Sequence, residues 1–332
     1  MMEHMDFMNL FGRFRQIKAL VIGDVMLDAY LWGRVDRISP EAPVPVVQLT
    51  RKDHRIGGAG NVGLNLAALG ASVSMLSVTG ADEESAILRR MFRDGGIASD
   101  DMIEVEGRVT TTKTRVISRN QQMLRIDNEV TDPIDADTEG RLLELVTRRL
   151  EIDRPDVLIF EDYDKGVLTE TLIRAVTDQC RSLGVITAVD PKRRNFFSYA
   201  GVDVFKPNLK EVREGLMLES DPVSLPALIE ADRRLRERLG HVFSFITLSD
   251  RGVFHADGRH AELIPSHMRN IADVSGAGDT VIAVAALAFA ATQDMGLSAR
   301  MANIAGGLVC EEVGTVAINP DRLLQECIRL LN

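Results

Sequence analysis

From residue 157 onward the sequence alternates short apolar runs with amphipathic stretches, and this alternation constrains the fold more than any other feature. The runs at 157–160, 186–189, 202–206 and 243–248 have the length and Val/Ile/Phe content of buried strands. Segments 171–183, 209–214 and 227–239 repeat apolar residues at helical spacing. Strands that alternate with helices build a largely parallel sheet covered on both faces. The first half carries the same signal: a strand over Lys18–Gly23, helices over 58–69 and Glu83–Asp94, a strand over 73–78 and a helix over 138–150. A hairpin is expected around Asp257 and Gly258. The expected class is α/β, a mostly parallel sheet flanked by helices, in one domain over 1–332.

Two segments break the alternation. Residues 30–50 hold Trp32, Gly33, three prolines and an alternating Val44, Val46, Leu49 edge, and 108–127 alternates as extended chain. Proline is confined to edge positions of sheets, so short strands outside the main sheet are expected, forming a small inserted β-lid. Tyr30, Trp32, Val44, Val46, Val116 and Ile117 would give that lid an apolar outer face. Exposed apolar patches and open edges invite a second chain, so a homodimer through the lid is expected. Lys113, Arg115 and Arg119 alternate and should share one face, where three cations call for an anion or for acidic neighbours.

The formal net charge of −10 argues against a nucleic-acid partner. Local basic clusters at 108–125 and 192–194 leave anionic small molecules open. Cys180, Cys310 and Cys327 have no metal-ligand spacing and fit the reduced thiols of a cytoplasmic protein. The N-terminus lacks the apolar core of a signal peptide. The longest apolar run, 281–291, is too short to span a bilayer.

That run reads as a buried helix, and Gly276, Ala277, Gly278 and Asp279 stand at its start. A helix N-terminus carries about half a positive charge and several unpaired N–H donors. Glycines let an anion approach those donors, and Asp279 places a carboxylate where a hydroxyl would meet a bound phosphate. The same residues also suit an ordinary turn with an Asp cap. Gly57, Gly58, Ala59, Gly60 and Asn61 open another helix, as a ligand-approach loop or a glycine turn. Asp24 and Asp28 follow the first strand, where ligands of open α/β sheets collect; they would grip hydroxyls or sit in solvent. Lys206, Asn208 and Glu211 end another strand, with Asn208 and Glu211 three apart on one helix face. That spacing serves a hydrated Mg²⁺ beside a nucleotide, or a helix cap. Thr247, Ser249 and Gly252 lie between a strand and a turn and would line a nucleoside or simply form the turn. No GxxxxGK[ST] loop is present.

Taken together these segments resemble the PfkB/ribokinase family of carbohydrate kinases. Gly57 to Asn61 with Gly70 and Gly80 resembles its first signature, Asp273 to Asp279 its second, and Lys206-Pro-Asn-x-x-Glu211 its magnesium and nucleotide motif. Within the family, Gly23 to Asp28, Arg37 to Val46, Thr112 to Gln122 and Asp162 to Gly166 look like the kinases of D-glycero-β-D-manno-heptose 7-phosphate. Gly63, Val284 and the Glu161 to Asp164 stretch depart from the family pattern. The sequence ends at Asn332 without an HxGH motif and reads as the kinase alone.

The resemblance implies a ribokinase-like fold and transfer from ATP, with Mg²⁺, to the anomeric hydroxyl of the heptose phosphate, for lipopolysaccharide inner-core synthesis. It implies that Asp279 is the base and that Gly276, Ala277 and Gly278 hold the transferring group. Asn208, Glu211 and Lys206 would organise Mg²⁺–ATP. Asp24, Asp28, Gly57, Gly58, Asn61, Lys113, Arg115, Arg119 and Lys165 would face the sugar phosphate. Other kinases of the family, and a non-catalytic sugar- or nucleotide-binding regulator, are the alternative readings.

Overall fold

A computed structural model describes residues 6–119, 121–267 and 269–332. Helix α1 (Phe7–Phe14) precedes the first core strand, β1 (Lys18–Gly23). Two long strands follow, β2 (Val25–Ile38) and β3 (Pro45–Gly58), then α2 (Ala59–Ala68), β4 (Ser72–Leu76), a short β5 (Val78–Gly80) and α3 (Glu83–Asp94). The short β6 (Ile103–Val105) leads to the hairpin of β7 (Thr112–Ser118) and β8 (Gln121–Asn128), then α4 (Ala136–Ile152). The alternating half supplies β9 (Val157–Glu161), α5 (Glu170–Leu183), β10 (Ile186–Asp190), β11 (Val204–Phe205), α6 (Leu209–Gly215), α7 (Leu225–Leu239) and β12 (Phe243–Thr247). The hairpin β13 (Val253–Ala256) and β14 (Ala261–Ile264) comes next, then α8 (Ala277–Thr292), α9 (Met295–Val309) and α10 (Pro320–Leu331).

Among the described residues eight strands form the main sheet in the order β14-β13-β12-β11-β10-β9-β1-β4, parallel from β12 to β4. The hairpin at one edge is antiparallel. Two apolar cores flank the sheet. One packs α1, α2, α8 and α9 on one face; the other packs α4, α5 and α7 on the opposite face. Helix α8 is apolar nearly all round because it is buried nearly all round: Ile282 to Leu287 are 0% exposed. Each such Leu, Ile or Val contributes roughly 1.5–3 kcal/mol by leaving water. This anchors the N-terminus of α8 rigidly at the strand ends.

The segments expected to lie outside the main sheet form a second sheet, in the order β3-β2-β7-β8. Its strands are longer than expected: β2 and β3 run 14 residues each, paired through breaks in register between Trp32 and Gly33 and between Val35 and Arg37. Pro45 opens β3, an edge strand.

Arg119 does not share the face of Lys113 and Arg115. The strand β7 alternates regularly only as far as Ser118, and Arg119 sits exposed in the turn beyond it with φ 50°. The expected apolar face also divides. Tyr30 is 2% exposed and Ile117 8%. Trp32 stacks on Tyr30 at 6.3 Å and lies under the Arg51 guanidinium. Val44 is exposed as expected, and the other exposed large apolar side chains of this sheet are Ile38, Leu49, Met123, Leu124 and Ile126.

Candidate active site

The carboxyl ends of β1, β9 and β10 converge on the N-terminus of α8. Gly276 caps that helix with φ 77°, a left-handed conformation favouring glycine, and Ala277 and Gly278 are its first residues. Asp279 is therefore in the first turn, 2% exposed. Its Oδ2 accepts from Asn61 Nδ2 at 2.8 Å and its Oδ1 from the Tyr163 hydroxyl at 2.6 Å. Burial raises the Asp279 pKa, and the bonds from Tyr163 and Asn61 oppose that rise. Asn61 is held in turn within α2, where Asn65 Nδ2 donates to its carbonyl and Asn65 Oδ1 accepts from Thr280. The two glycine-rich segments thus meet at one carboxylate.

Gly57 is required by close approach: a Cβ there would lie 2.6 Å from Asp28 Oδ2. Asp28 itself, 3% exposed, pairs with Arg115 Nη1 at 2.5 Å. Arg115 and Arg55 both lie against the Tyr30 ring, at 5.3 and 5.0 Å. Lys113 lies over the Tyr163 ring at 5.5 Å; among the described residues it pairs with no carboxylate. Burial, and then Lys165, lowers its pKa. Lys165 Nζ is paired with Glu129 at 2.8 Å.

Asp24 departs from the expected role. Its carboxylate accepts the backbone N–H groups of Tyr163, Lys165 and Val167 at 2.8, 3.1 and 3.1 Å. It is 1% exposed and folds the 163–167 loop over the strand ends, so these oxygens are spent on the backbone.

On the other side of Asp279 lies a cluster of acids and lysines. Asp190, at the end of β10, pairs with Lys206 at 2.8 Å and with Lys192 at 3.0 Å. A Cβ on Gly278 would sit 3.6 Å from Asp190 Oδ2, so this cluster adjoins the cradle. Lys192 also reaches Glu211 at 3.3 Å. Asn208 and Glu211 form a capping box on α6: each side chain accepts the other's backbone N–H, at 2.9 and 2.8 Å. Thr247 is bridged to Asn208 across the sheet, while Ser249 is exposed and Gly252 is buried in the turn beyond. Glu161, 0% exposed, has neither carboxylate oxygen hydrogen-bonded, and burial, Asp190 and Asp279 push its pKa well up.

Glu161, Asp190, Glu211 and Asp279 outnumber Lys192 and Lys206, which fits a cation nearby. Asn208 and Glu211, however, have their oxygens committed to the capping box and to Lys192. Among the described residues no group of three His, Cys, Asp or Glu side chains is placed to hold a metal ion directly. The two residues expected to bind Mg²⁺ would reach it only through its waters.

Sequence reasoning missed Tyr163, Lys192, Asp190 and Arg55. Tyr163 stands in the Asp162 to Gly166 segment, but its bond to Asp279 depends on a loop held from elsewhere. Lys192 lies in the basic cluster 192–194. Arg55 donates from β3 to the carbonyls of Val313 and Thr315, a contact with no local signal.

An anion cradle and a proton acceptor in one small buried volume supply what transfer of a phosphoryl group to an alcohol needs. The architecture is the ribokinase-like α/β fold. It is shared with Escherichia coli phosphofructokinase-2 in complex with potassium (TM-score 0.76, 18% identity, 95% of this chain and 99% of that one). It is shared also with Arabidopsis thaliana ribokinase complexed with ribose and ATP (TM-score 0.72, 16% identity, 93% and 99%). Residues 16–322 match the pattern described as pfkB family carbohydrate kinase, and the chain belongs to that family of ATP-dependent sugar kinases. Among similar proteins is the "Bifunctional protein HldE" of Geotalea uraniireducens, 41% identical over 337 residues, covering 98% of this chain and 66% of the relative. That of Geobacter sulfurreducens is 42% identical over 326 residues, covering 97% and 65%. The chain thus spans just under two thirds of the length of these relatives. No helix among the described residues is long and apolar enough to cross a membrane.

Proposed function

We propose that this kinase phosphorylates D-glycero-β-D-manno-heptose 7-phosphate at its anomeric hydroxyl, giving the 1,7-bisphosphate used for ADP-heptose and the lipopolysaccharide inner core. The sequence resemblance names the sugar. The observation that carries the reading is Lys113, a partly buried ammonium without a carboxylate partner, on the face that also holds Asp28 and beside the loop of Tyr163. An unpaired cation in such a place is stabilised by an anionic ligand.

In the proposed reaction Asp279 takes the proton of the anomeric hydroxyl as its oxygen bonds to the γ-phosphorus. The bond from that phosphorus to the bridging oxygen breaks, and ADP leaves. The backbone N–H groups at Gly276, Ala277 and Gly278 receive the transferring group. Asn61, Gly57, Gly58 and Asp28 border the sugar; Lys206 and Lys192 border the nucleotide phosphates, with Thr247, Ser249 and Gly252 further along the strand ends. Mg²⁺, when bound with ATP, neutralises phosphate charge; Asn208 and Glu211 would hold it through water.

A coupled ADP-release assay over a panel of sugars and sugar phosphates tests this. The expected kcat/KM for the 7-phosphate exceeds that for the unphosphorylated heptose by about 10²-fold or more, from one charge-assisted phosphate site. Equal values for the two would refute the phosphate preference, and a better substrate elsewhere in the panel would reassign the sugar.

The same reading includes a homodimer through the outer sheet, in the cytoplasm. Ile38, Val44, Leu49, Leu124 and Ile126 supply exposed apolar surface on the strands β2, β3 and β8 and the loop between β2 and β3. Light scattering at micromolar concentration should give about twice 36.6 kDa. The pair of substitutions L124D and I126D should halve the mass. A wild-type mass near 36.6 kDa would remove the dimer.

A further inference from the structure

We infer that Tyr163 is a positioning residue for the catalytic carboxylate, resting on the assignment of Asp279 as base. Two observations place it there. Its hydroxyl donates to Asp279 Oδ1 at 2.6 Å, complementing Asn61 on the other oxygen. Two ammonium groups lie over its ring, Lys113 of the second sheet at 5.5 Å and Lys192 of the acid–lysine cluster at 5.1 Å. Tyr163 therefore stands on the boundary between the proposed sugar side and the proposed nucleotide side of the base.

The backbone makes that placement firm. Asp24 accepts the N–H of Tyr163, and Asp162 is held by Tyr199 at 2.7 Å and Asn195 at 3.1 Å. A loop fixed on both sides of Tyr163 presents its ring in one orientation. The ring faces of Tyr attract cations, so Lys113 and Lys192 each add to that fixing without consuming the hydroxyl.

The bond leaves Asp279 able to work. A carboxylate offers about four acceptor sites. Asn61 and Tyr163 use one on each oxygen, and a hydroxyl can take another. A donor to the carboxylate stabilises its charged form. Besides Tyr163 and Asn61, three groups bear on it: Glu161 from β9, and Asp190 with Lys192 from the end of β10. Glu161 and Asp190 oppose its ionisation; Lys192 and Tyr163 favour it. Tyr163 is thus one of two neutral donors, with Asn61, that orient and keep the base ionised in a cluster rich in acids.

Y163F keeps the ring and its cation contacts while removing the donor. The acid limb of kcat/KM against pH should move up by about one unit, since the ionised base loses one hydrogen bond. At the pH optimum kcat should fall about tenfold, with KM for the sugar within about threefold. An unmoved acid limb with kcat within twofold would overturn the inference, leaving Tyr163 as packing. A raised KM with kcat and the limb unchanged would also overturn it, placing Tyr163 on the sugar instead. Should Y163F fail to melt cooperatively, 3-fluorotyrosine serves in its place: the chain has three tyrosines, and fluorination strengthens the donor. The acid limb should then move down, and an unmoved limb overturns the inference.

Discussion

Replacing Asp279 by Asn should lower kcat by about 10²–10⁴-fold, the usual cost of removing a general base. The folded state should not suffer. Glu161 and Asp190 face the same carboxylate, so losing its charge relieves repulsion in a buried cluster. Activity and melting temperature should therefore move in opposite directions, or the melting temperature should hold. Steady-state kinetics and a thermal melt on the same preparation check both halves. A variant within a few-fold of the parent kcat would remove Asp279 from the role of base.

Gly276→Ala should be nearly as damaging, for a geometric reason. The residue has φ 77°, where an L side chain costs about 1–2 kcal/mol. An added Cβ would also lie 2.6 Å from Asn61 Nδ2 and 3.1 Å from Thr315 Cγ2. Asn61 would be driven from Asp279 and the cradle would be tilted. The expected result is a fall in kcat of about 10²-fold or more, in the range of losing one donor from an oxyanion site. The melt should also drop, by several degrees for about 1–3 kcal/mol. A fully active Gly276→Ala protein would show that the turn does not hold the transferring group.

What was legible in the sequence was what is local. The apolar run after Asp279 gave a buried helix, and its glycines marked the turn before it, because caps and helix starts are written in neighbouring residues. The main sheet followed from alternating runs for the same reason. Side-chain commitments between distant segments were not legible. Asp24 follows a strand end, where an acid can meet either a ligand or backbone; only the folded 163–167 loop shows that it meets backbone. Asn208 and Glu211 have a spacing that serves a capping box as well as a metal, and the structure shows the box. Arg119 failed because a period of two holds only within the strand, and β7 ends at Ser118 before a left-handed turn. Tyr163 was hidden because its partner lies 116 residues away.

The attachment of the second sheet bears on how its two ends can serve different ends of the molecule's work. A single residue, Asp24, separates β1 from β2, and none separates β3 from α2. The sheet is thus a cantilever built into the core without a hinge. Its root, with Asp28 and Gly57, is clamped by the main sheet and by α2. The β2–β3 ladder is interrupted between Trp32 and Gly33 and between Val35 and Arg37, where irregularities of this kind bend and twist a strand. The tip beyond those interruptions, with Ile38 and Val44, is therefore aimed independently of a root that keeps its register. A partner seated on the tip would leave the geometry around Asp279 untouched.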